Sequence, residues 1–361
     1  MNEYDIIVVG AGPAGSAAAK AIAEGGLDVL ILEEHPIVGI PDHCWGLLSN
    51  GVIPRAPRDK GPTITQKIMD TMSKDVIVQE YSAVRVYAPN GKVVKEASVA
   101  GTGDYLVRRD EFDRELTKQA INAGADIKLN TRVTGLLKKD GKVIGVNTNY
   151  NSMPELYAKL VIGTDGIHAA QKGIPKWEGI IRDDQPFING ITLELTRVRG
   201  IDHDVRELHT GAIMKRGWAG VCPRDDVSCT TDFTSMAEFE QLKTGGYAIS
   251  TKLKEANPVR MVGWSHPEDL GVGISRVIDD GLIIAGSAAS LMGIPGAITS
   301  GRYAGEVAVE AVKEGDVTAK KLGKYAELYE TMKGPVGFKD SLPFYDCSDE
   351  EIEKRLLGML E

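Results

Sequence analysis

Cys44 stands in the stretch PDHCWGLL, flanked by His43 and Trp45 and two residues before Gly46. A thiol can serve as nucleophile, redox centre or proton donor, and a neighbouring imidazole and indole can tune or frame it. A free cysteine also packs simply as a small apolar side chain. A second constellation is more specific. Gly10, Gly12 and Gly15 in GAGPAG carry the G-x-G-x-x-G spacing of a dinucleotide site. Gly10 permits the tight turn, Gly12 lets a pyrophosphate approach the backbone, and Gly15 lets helix and strand pack closely. Glu33, with Glu34 as the alternative, is spaced to accept hydrogen bonds from ribose hydroxyls. His43, His168, His203, His209 and His266 have no metal-ligand spacing and are read as surface or structural. No metal is expected.

These residues need a scaffold. YDIIVVG (4–10) is a continuous β-branched run, as a strand buried on both faces of a parallel sheet requires. The glycine loop follows, then a helix over SAAAKAIAEGG (16–26) stopped by Gly25-Gly26, then a strand over DVLILEE (28–34). Hairpins are predicted at Asn90-Gly91, with both turn residues at positive φ, and at Asp140-Gly141. RRDEFDRELTKQAINAGA (108–125) reads as a helix burying Phe112, Leu116 and Ala120, and AKLVIGTDG (158–166) as another buried strand. Residues 177–275 alternate like antiparallel strands around a lone helix, SMAEFEQLKTG. From 282 onward strand, glycine-rich turn and long helix return, and Ser348 is placed to cap a last amphipathic helix.

The fold class is therefore α/β: a Rossmann-type dinucleotide-binding domain with an inserted, mostly antiparallel β-sheet domain. The predicted boundaries are 1–75, 100–176 and 276–335 for the discontinuous cofactor domain, 76–99 and 177–275 for the substrate domain, and 336–361 for a C-terminal helical segment. A length of 361 residues suits two lobes. A net charge of −9 argues against nucleic-acid binding, which needs a basic surface. Cysteines 44, 222, 229 and 347 form no C-x-x-C pair and fit a reduced, cytoplasmic protein better than a disulfide framework. No signal peptide or membrane-spanning run is visible.

The fingerprint alone does not choose between NAD and FAD. VRRDEFDREL with Arg109, VIGTDGIHAA with Asp165, and LIIAGSAA with Gly286 follow it in that order. This ordered set resembles the FAD-dependent family of aromatic hydroxylases and geranylgeranyl reductases over nearly the whole chain. Cys44-Trp45-Gly46 matches the Cys-x-Gly element of the geranylgeranyl reductase branch, including the archaeal digeranylgeranylglycerophospholipid reductases. The resemblance implies FAD as cofactor, held by Gly10, Gly12, Ala14, Gly15, Glu33 or Glu34, His43 and Cys44. It implies adenine-side contacts from Arg109 and the backbone near Val133, a turn ordered by Asp165, and ribityl contacts near Gly286 and Ser287. The helix beginning near Gly296 and Ala297 would aim its N-terminus at the flavin pyrimidine.

RGWAGVCP (216–223) partly matches a second reductase element of the substrate lobe, a Pro–Tyr–Trp–Phe–Pro pattern. Trp218, Gly220 and Cys222 take the aromatic positions and Pro223 is kept. The resemblance thus implies a substrate surface at Gly46, Trp218, Gly220 and Pro223, with Cys44 as the catalytic residue. Glycine for tryptophan at 220 should open volume or reshape the tunnel. Ser287 departs from the family's aspartate, and the loop after it is shorter.

The implied activity is saturation of isoprenoid C=C bonds by hydride from reduced flavin. The implied electron donor is ferredoxin, a deazaflavin or NAD(P)H. A lipid substrate implies peripheral contact with the inner membrane surface. Two other readings are a flavin-dependent hydroxylase of an aromatic or polycyclic substrate, and a non-catalytic flavin- or lipid-binding protein.

Overall fold

A computed structural model describes residues 3–42, 44–49, 64–101, 103–166, 187–267, 276–289, 291, 293–332, 344 and 347–360. The chain divides into two compact units: residues 1–41, 110–186 and 267–337 form one, and 42–109, 187–266 and 338–361 the other.

In chain order, β1 (Glu3–Val9), α1 (Pro13–Glu24) and β2 (Val29–Leu32) open the first unit. The second unit follows with β3 (Leu47–Leu48), α2 (Ile64–Met69), β4 (Ile77–Glu80), β5 (Ala83–Tyr87), β6 (Val93–Ser98) and β7 (Tyr105–Val107). The chain returns to the first unit through α3 (Arg109–Asn122), β8 (Asp126–Lys128), β9 (Val133–Lys139), β10 (Lys142–Thr148) and β11 (Glu155–Gly163). Next come β12 (Phe187–Thr196), β13 (Val205–Thr210), β14 (Trp218–Pro223), β15 (Ser228–Phe233), α4 (Met236–Thr244), α5 (Ala248–Leu253) and β16 (Asn257–Pro267) in the second unit. Then β17 (Ile278–Asp279), β18 (Leu282–Ile284), α6 (Ile294–Glu314) and α7 (Ala319–Met332) complete the first, and α8 (Asp349–Leu360) belongs to the second.

The first unit is built on the strand order β17-β18-β11-β1-β2-β8, in which β18, β11, β1, β2 and β8 run parallel. Ile6, Ile7 and Val8 are fully buried, which accounts for a strand without polar alternation. Helix α1 begins earlier than the sequence pattern over 16–26 predicts, because Gly12 is the N-cap and Pro13 supplies a first-turn residue with a pre-set φ. Phe112, Leu116 and Ala120 are buried on α3 as expected.

In the second unit a seven-stranded sheet runs β16-β12-β15-β14-β13-β5-β6. The β12–β15, β15–β14 and β14–β13 pairs are antiparallel, and β5 joins β13 in parallel. One face packs Leu193, Leu195, Val221, Cys229 and Phe233 against Phe239 and Leu242 of α4 and Ile249 and Leu253 of α5. By strand alternation Trp218, Gly220 and Cys222 lie on the opposite face. Ser348 and Glu351 cap α8 reciprocally: Ser348 Oγ accepts from Glu351 N–H at 3.3 Å, and the Glu351 carboxylate accepts from Ser348 N–H at 2.8 Å.

Three local expectations differ from what is seen. The helix at 236–244 is not alone, since α5 follows it directly. At Asn90-Gly91 only Gly91 has positive φ, 81°. Pro89 holds its φ negative, so the loop becomes a longer turn closed by Ala88 N–H to Lys92 O at 2.9 Å, with glycine last. Asp140 (φ 53°) and Gly141 (φ 82°) do form the expected pair. Finally, residues 42–75 and 100–109 cluster with the second unit, where the sequence boundaries joined them to the first. The physical reason is that β3 and β4 both pair with β7 in a small antiparallel sheet.

Candidate active site

The first unit assembles a cradle at the carboxyl end of its parallel strands. Gly10 ends β1 with φ 96° and donates its N–H to Leu32 O at 2.8 Å. A Cβ on Gly15 would stand 1.9 Å from Gly10 O, so only glycine lets α1 sit this close to β1. A Cβ on Gly301 would stand 2.0 Å from Ala14 O, and one on Gly305 2.6 Å from Ala18 O. The pairs 14–301 and 18–305 advance together, so α1 and α6 run parallel and begin at the same end of the sheet. Gly286 is tied to them: its N–H donates to Ser300 Oγ at 2.9 Å, and its φ of 68° leaves room only for hydrogen beside Ala14.

Both helix beginnings are prepared for an anion. Among the described residues, neither Gly12 nor Gly293 has a side-chain cap, and neither first turn carries an acidic residue. The leading N–H groups and the positive end of each helix dipole are therefore left to a ligand. Among the described residues, a Cβ placed on Gly12 or on Gly296 would meet nothing within 4 Å, so these residues leave the space in front of both turns open. Ala297 is buried in the first turn of α6.

Glu33 is buried, its Oε2 accepting from Ala11 N–H at 2.8 Å and its Oε1 from His35 N–H at 3.0 Å. It braces the glycine loop; Oε1 also lies 2.7 Å from His35 Nδ1, so Oε2 is the oxygen that keeps a second acceptor position. Glu34 is more exposed and accepts from Arg132 Nε at 2.7 Å. Val133 is buried in the core at the start of β9, so it can offer a ligand only its backbone. Asp165 follows β11 with its Cα beside Gly10, and Arg109 opens α3 half-buried. Ser287 Oγ donates to Leu291 O at 3.3 Å within its own turn. His43 lies outside the described residues.

The sequence reading missed the buried tyrosines of α7. Tyr325 OH donates to Ile284 O at 3.1 Å and Tyr329 OH to Ala289 O at 2.7 Å, gripping both ends of the Gly286 turn. Burial pushes both phenols well above their ordinary pKa, so they stay protonated donors. Their i,i+4 spacing beside Leu322 was the available signal.

The second unit carries the remaining predicted residues. Cys44 is half-buried; its N–H donates to Asp42 Oδ1 at 2.9 Å, and Gly46 N–H donates to its Sγ at 3.4 Å. Gly46 has φ 85°, and a Cβ there would lie 2.2 Å from Val107 O, so this glycine seats the loop on β7. Gly220 does not leave its volume open: a Cβ on it would lie 2.7 Å from Cζ3 of Trp45. The Trp45 and Trp218 ring centroids are 6.5 Å apart at 43°. The Arg216 guanidinium lies 4.3 Å from the Trp218 ring and 5.0 Å from the Trp264 ring, and bonds the buried Asp232 carboxylate. Pro223 O accepts from Tyr81 OH at 2.8 Å. Beside Tyr81, burial pushes the Cys222 thiol up to about 12, so this cysteine is an inert packing group.

A family model described as FAD dependent oxidoreductase matches residues 5–274. The digeranylgeranylglycerophospholipid reductase of Thermoplasma volcanium is 30% identical over 355 residues, covering 91% of this chain and 83% of that protein. The protein of the same name from Methanosarcina acetivorans is 31% identical over 348 residues, covering 91% and 79%. Among solved structures, a geranylgeranyl bacteriochlorophyll reductase-like protein from Thermoplasma acidophilum superposes with a TM-score of 0.81 at 25% identity, covering 98% of this chain and 90% of that one. A flavin-dependent brominase superposes with a TM-score of 0.68 at 18% identity, covering 91% and 84%, a likeness of fold alone. Among the described residues, no helix is long and apolar enough to cross a membrane.

Proposed function

We propose, from the premise that this chain belongs to the FAD dependent oxidoreductase family, that it reduces C=C bonds in the isoprenoid chains of a lipid. The observation that carries the cofactor half is the pair of parallel, uncapped helix beginnings at Gly12 and Gly293. The substrate half is supported by the activity that gives its name to relatives matching 91% of this chain, and by the indole-lined face at Gly220.

Bound and reduced, FAD would supply the hydride to one alkene carbon, and an acid or water the proton to the other. The chain's own residues do the rest. The first turn of α1 holds the phosphates with backbone N–H groups, with Gly12 giving access, while Glu33 offers an acceptor to ribose. The first turn of α6, at Gly296 and Ala297, favours negative charge in front of it. Arg109, Val133, Asp165, Gly286 and Ser287 are assigned the further cofactor contacts that the family resemblance implies, and His43 joins them by sequence alone.

An isolated alkene has no group to polarise, so positioning and exclusion of water must supply most of the rate. Trp218, Gly220 and Gly46 are proposed to line the substrate surface; Pro223, expected there from the sequence, is opposite Cys229 on β15 and by alternation falls on the α4–α5 face. Cys44 is proposed to face the reacting bond, with Sγ oriented by the Gly46 amide. The first unit and the second are accordingly read as cofactor and substrate domains. A ferredoxin, deazaflavin or nicotinamide donor and peripheral contact with a membrane complete the reading.

A visible spectrum of the purified protein tests the cofactor, and a colourless chain that takes up no FAD would overturn it. Anaerobic reduction in the presence of a geranylgeranyl lipid should raise the lipid's mass by about 2 Da per saturated bond. Oxygenated product in air with no such gain would favour a hydroxylase instead.

A further inference from the structure

Position 220 lies at the centre of β14, on the face opposite the α4–α5 core, and it is a glycine. The space that its side chain would fill is taken by a ring from elsewhere in the sequence: Cζ3 and Cη2 of Trp45 stand 2.7 and 2.8 Å from where a Cβ would be. We infer that Trp45 is a specificity-determining residue, closing the volume in front of Gly220 and setting how wide a hydrocarbon chain this face accepts. The inference rests on the isoprenoid reading above and adds a residue to it.

Trp45 is not a loosely hung side chain. The residues on either side of it are fixed within the same unit. Asp42 accepts from Cys44 N–H at 2.9 Å and from Arg260 Nη2 at 2.6 Å. Gly46 O accepts from Val107 N–H at 2.9 Å, and the backbone at 46 is too close to Val107 for any side chain. The opposite wall is equally held. Trp218 is buried, and Arg216, stacked on it at 4.3 Å and bonded to Asp232, prevents its ring from receding. Trp45 is only half-buried, so part of its indole still faces outward where an apolar ligand can lie on it.

The arrangement predicts that each single substitution is harmful and that the two together compensate. Trp45→Ala removes the wall, and Gly220→Trp drives a second ring into one already present. Trp45→Ala with Gly220→Trp together return one indole to the same volume, now from the strand. With a saturable linear geranylgeranyl lipid, Trp45→Ala should lose about tenfold in kcat/KM, while preference for a ring-terminated prenyl chain rises about tenfold. Gly220→Trp should lose chain binding altogether, and the double variant should recover to within about threefold of the starting protein.

Quenching of tryptophan fluorescence by geranylgeraniol, titrated into flavin-loaded oxidised protein, reports binding without turnover, and thermal midpoints report folding. Trp45→Phe serves if the alanine variant does not fold. Chain selectivity unchanged in Trp45→Ala or Trp45→Phe, or a double variant no better than the worse single one, would overturn the inference alone. Flavin-loaded wild-type protein that neither binds nor reduces any prenyl lipid would overturn the functional reading, and this inference with it.

Discussion

Around the beginnings of α1 and α6 the chain works by leaving side chains out, whereas around β14 it works with the largest ones it has. In the first region Gly15 and Gly301 bring backbones to distances that no Cβ tolerates, and Gly12 leaves its space open for a ligand. In the second, Trp45, Trp218, Trp264, Arg216 and Asp232 fill the face of a sheet. A cradle made of backbone has few solutions, because only glycine supplies it. A wall made of rings has many, because volume can arrive from any chain segment that reaches it.

The largest effect should come from breaking a buried pair in the region built of side chains. Arg206 and Asp104 are nearly inaccessible and joined by Nε to Oδ1 and Nη2 to Oδ2, each at 3.0 Å. Asp104→Ala would take both carboxylate bonds from a buried guanidinium, and a loss of about 3–5 kcal/mol in urea unfolding is expected. An unchanged midpoint would mean that water reaches the arginine.

The glycines of the other region separate two kinds of dependence. Gly15→Val should lower stability by about 3 kcal/mol and release the flavin, since the added atoms collide with Gly10 O. Gly12→Val adds its side chain to open space, so stability should change by no more than about 1 kcal/mol while flavin content per chain falls. Absorbance after gel filtration and thermal melts distinguish the two. Equal behaviour of both variants would remove the assigned difference between packing and ligand access.

A smaller, pH-dependent effect belongs to the second unit. His209 Nε2 and a Glu207 oxygen lie 2.8 Å apart, Lys252 reaches Glu207 at 3.1 Å, and Tyr87 stacks on His209 at 4.3 Å. Burial holds the His209 imidazole below its ordinary 6.5, against the pull of Glu207. Burial raises the Glu207 carboxyl, but His209 and Lys252 outweigh it together and hold it below its ordinary 4.5. In both cases the unfolded chain takes up protons more readily than the folded one. Stability should therefore be full above about 6.5, decline below it as the unfolded His209 protonates, and fall further below about 4.5. Urea midpoints between pH ~8 and ~4 should show this, and Glu207→Gln with His209→Gln should flatten the curve.

The smallest expected change is at Ser287, where the family resemblance calls for aspartate. Ser287→Asp should tighten flavin retention by about threefold through a charge-assisted hydrogen bond. No gain would indicate that the turn held by Leu291 O does not present this side chain to the cofactor.

Much of the first unit was legible before any coordinates. The unbroken apolar run of β1, the glycine spacing and Glu33 all follow from local rules in which backbone geometry limits the choice of residue. Helix α3 was legible for a similar reason, as its 3.6-residue period marks Phe112, Leu116 and Ala120. The turn at Asn90 was misread because Pro89, one residue earlier, outweighs the dipeptide.

By itself, then, the sequence determined the parallel sheet, the dinucleotide cradle and the antiparallel character of the second lobe, since period and glycine placement act over a few residues. Only the tertiary structure decided that α1 and α6 run parallel from the same end of the sheet, that two tyrosines of α7 grip the Gly286 turn, and that residues 42–75 belong with the second unit. It also decided that Trp45 fills the volume at Gly220, 175 positions away by difference of number. Packing conserves volume and pairing rather than sequence distance, and nothing local records which segment will supply the ring.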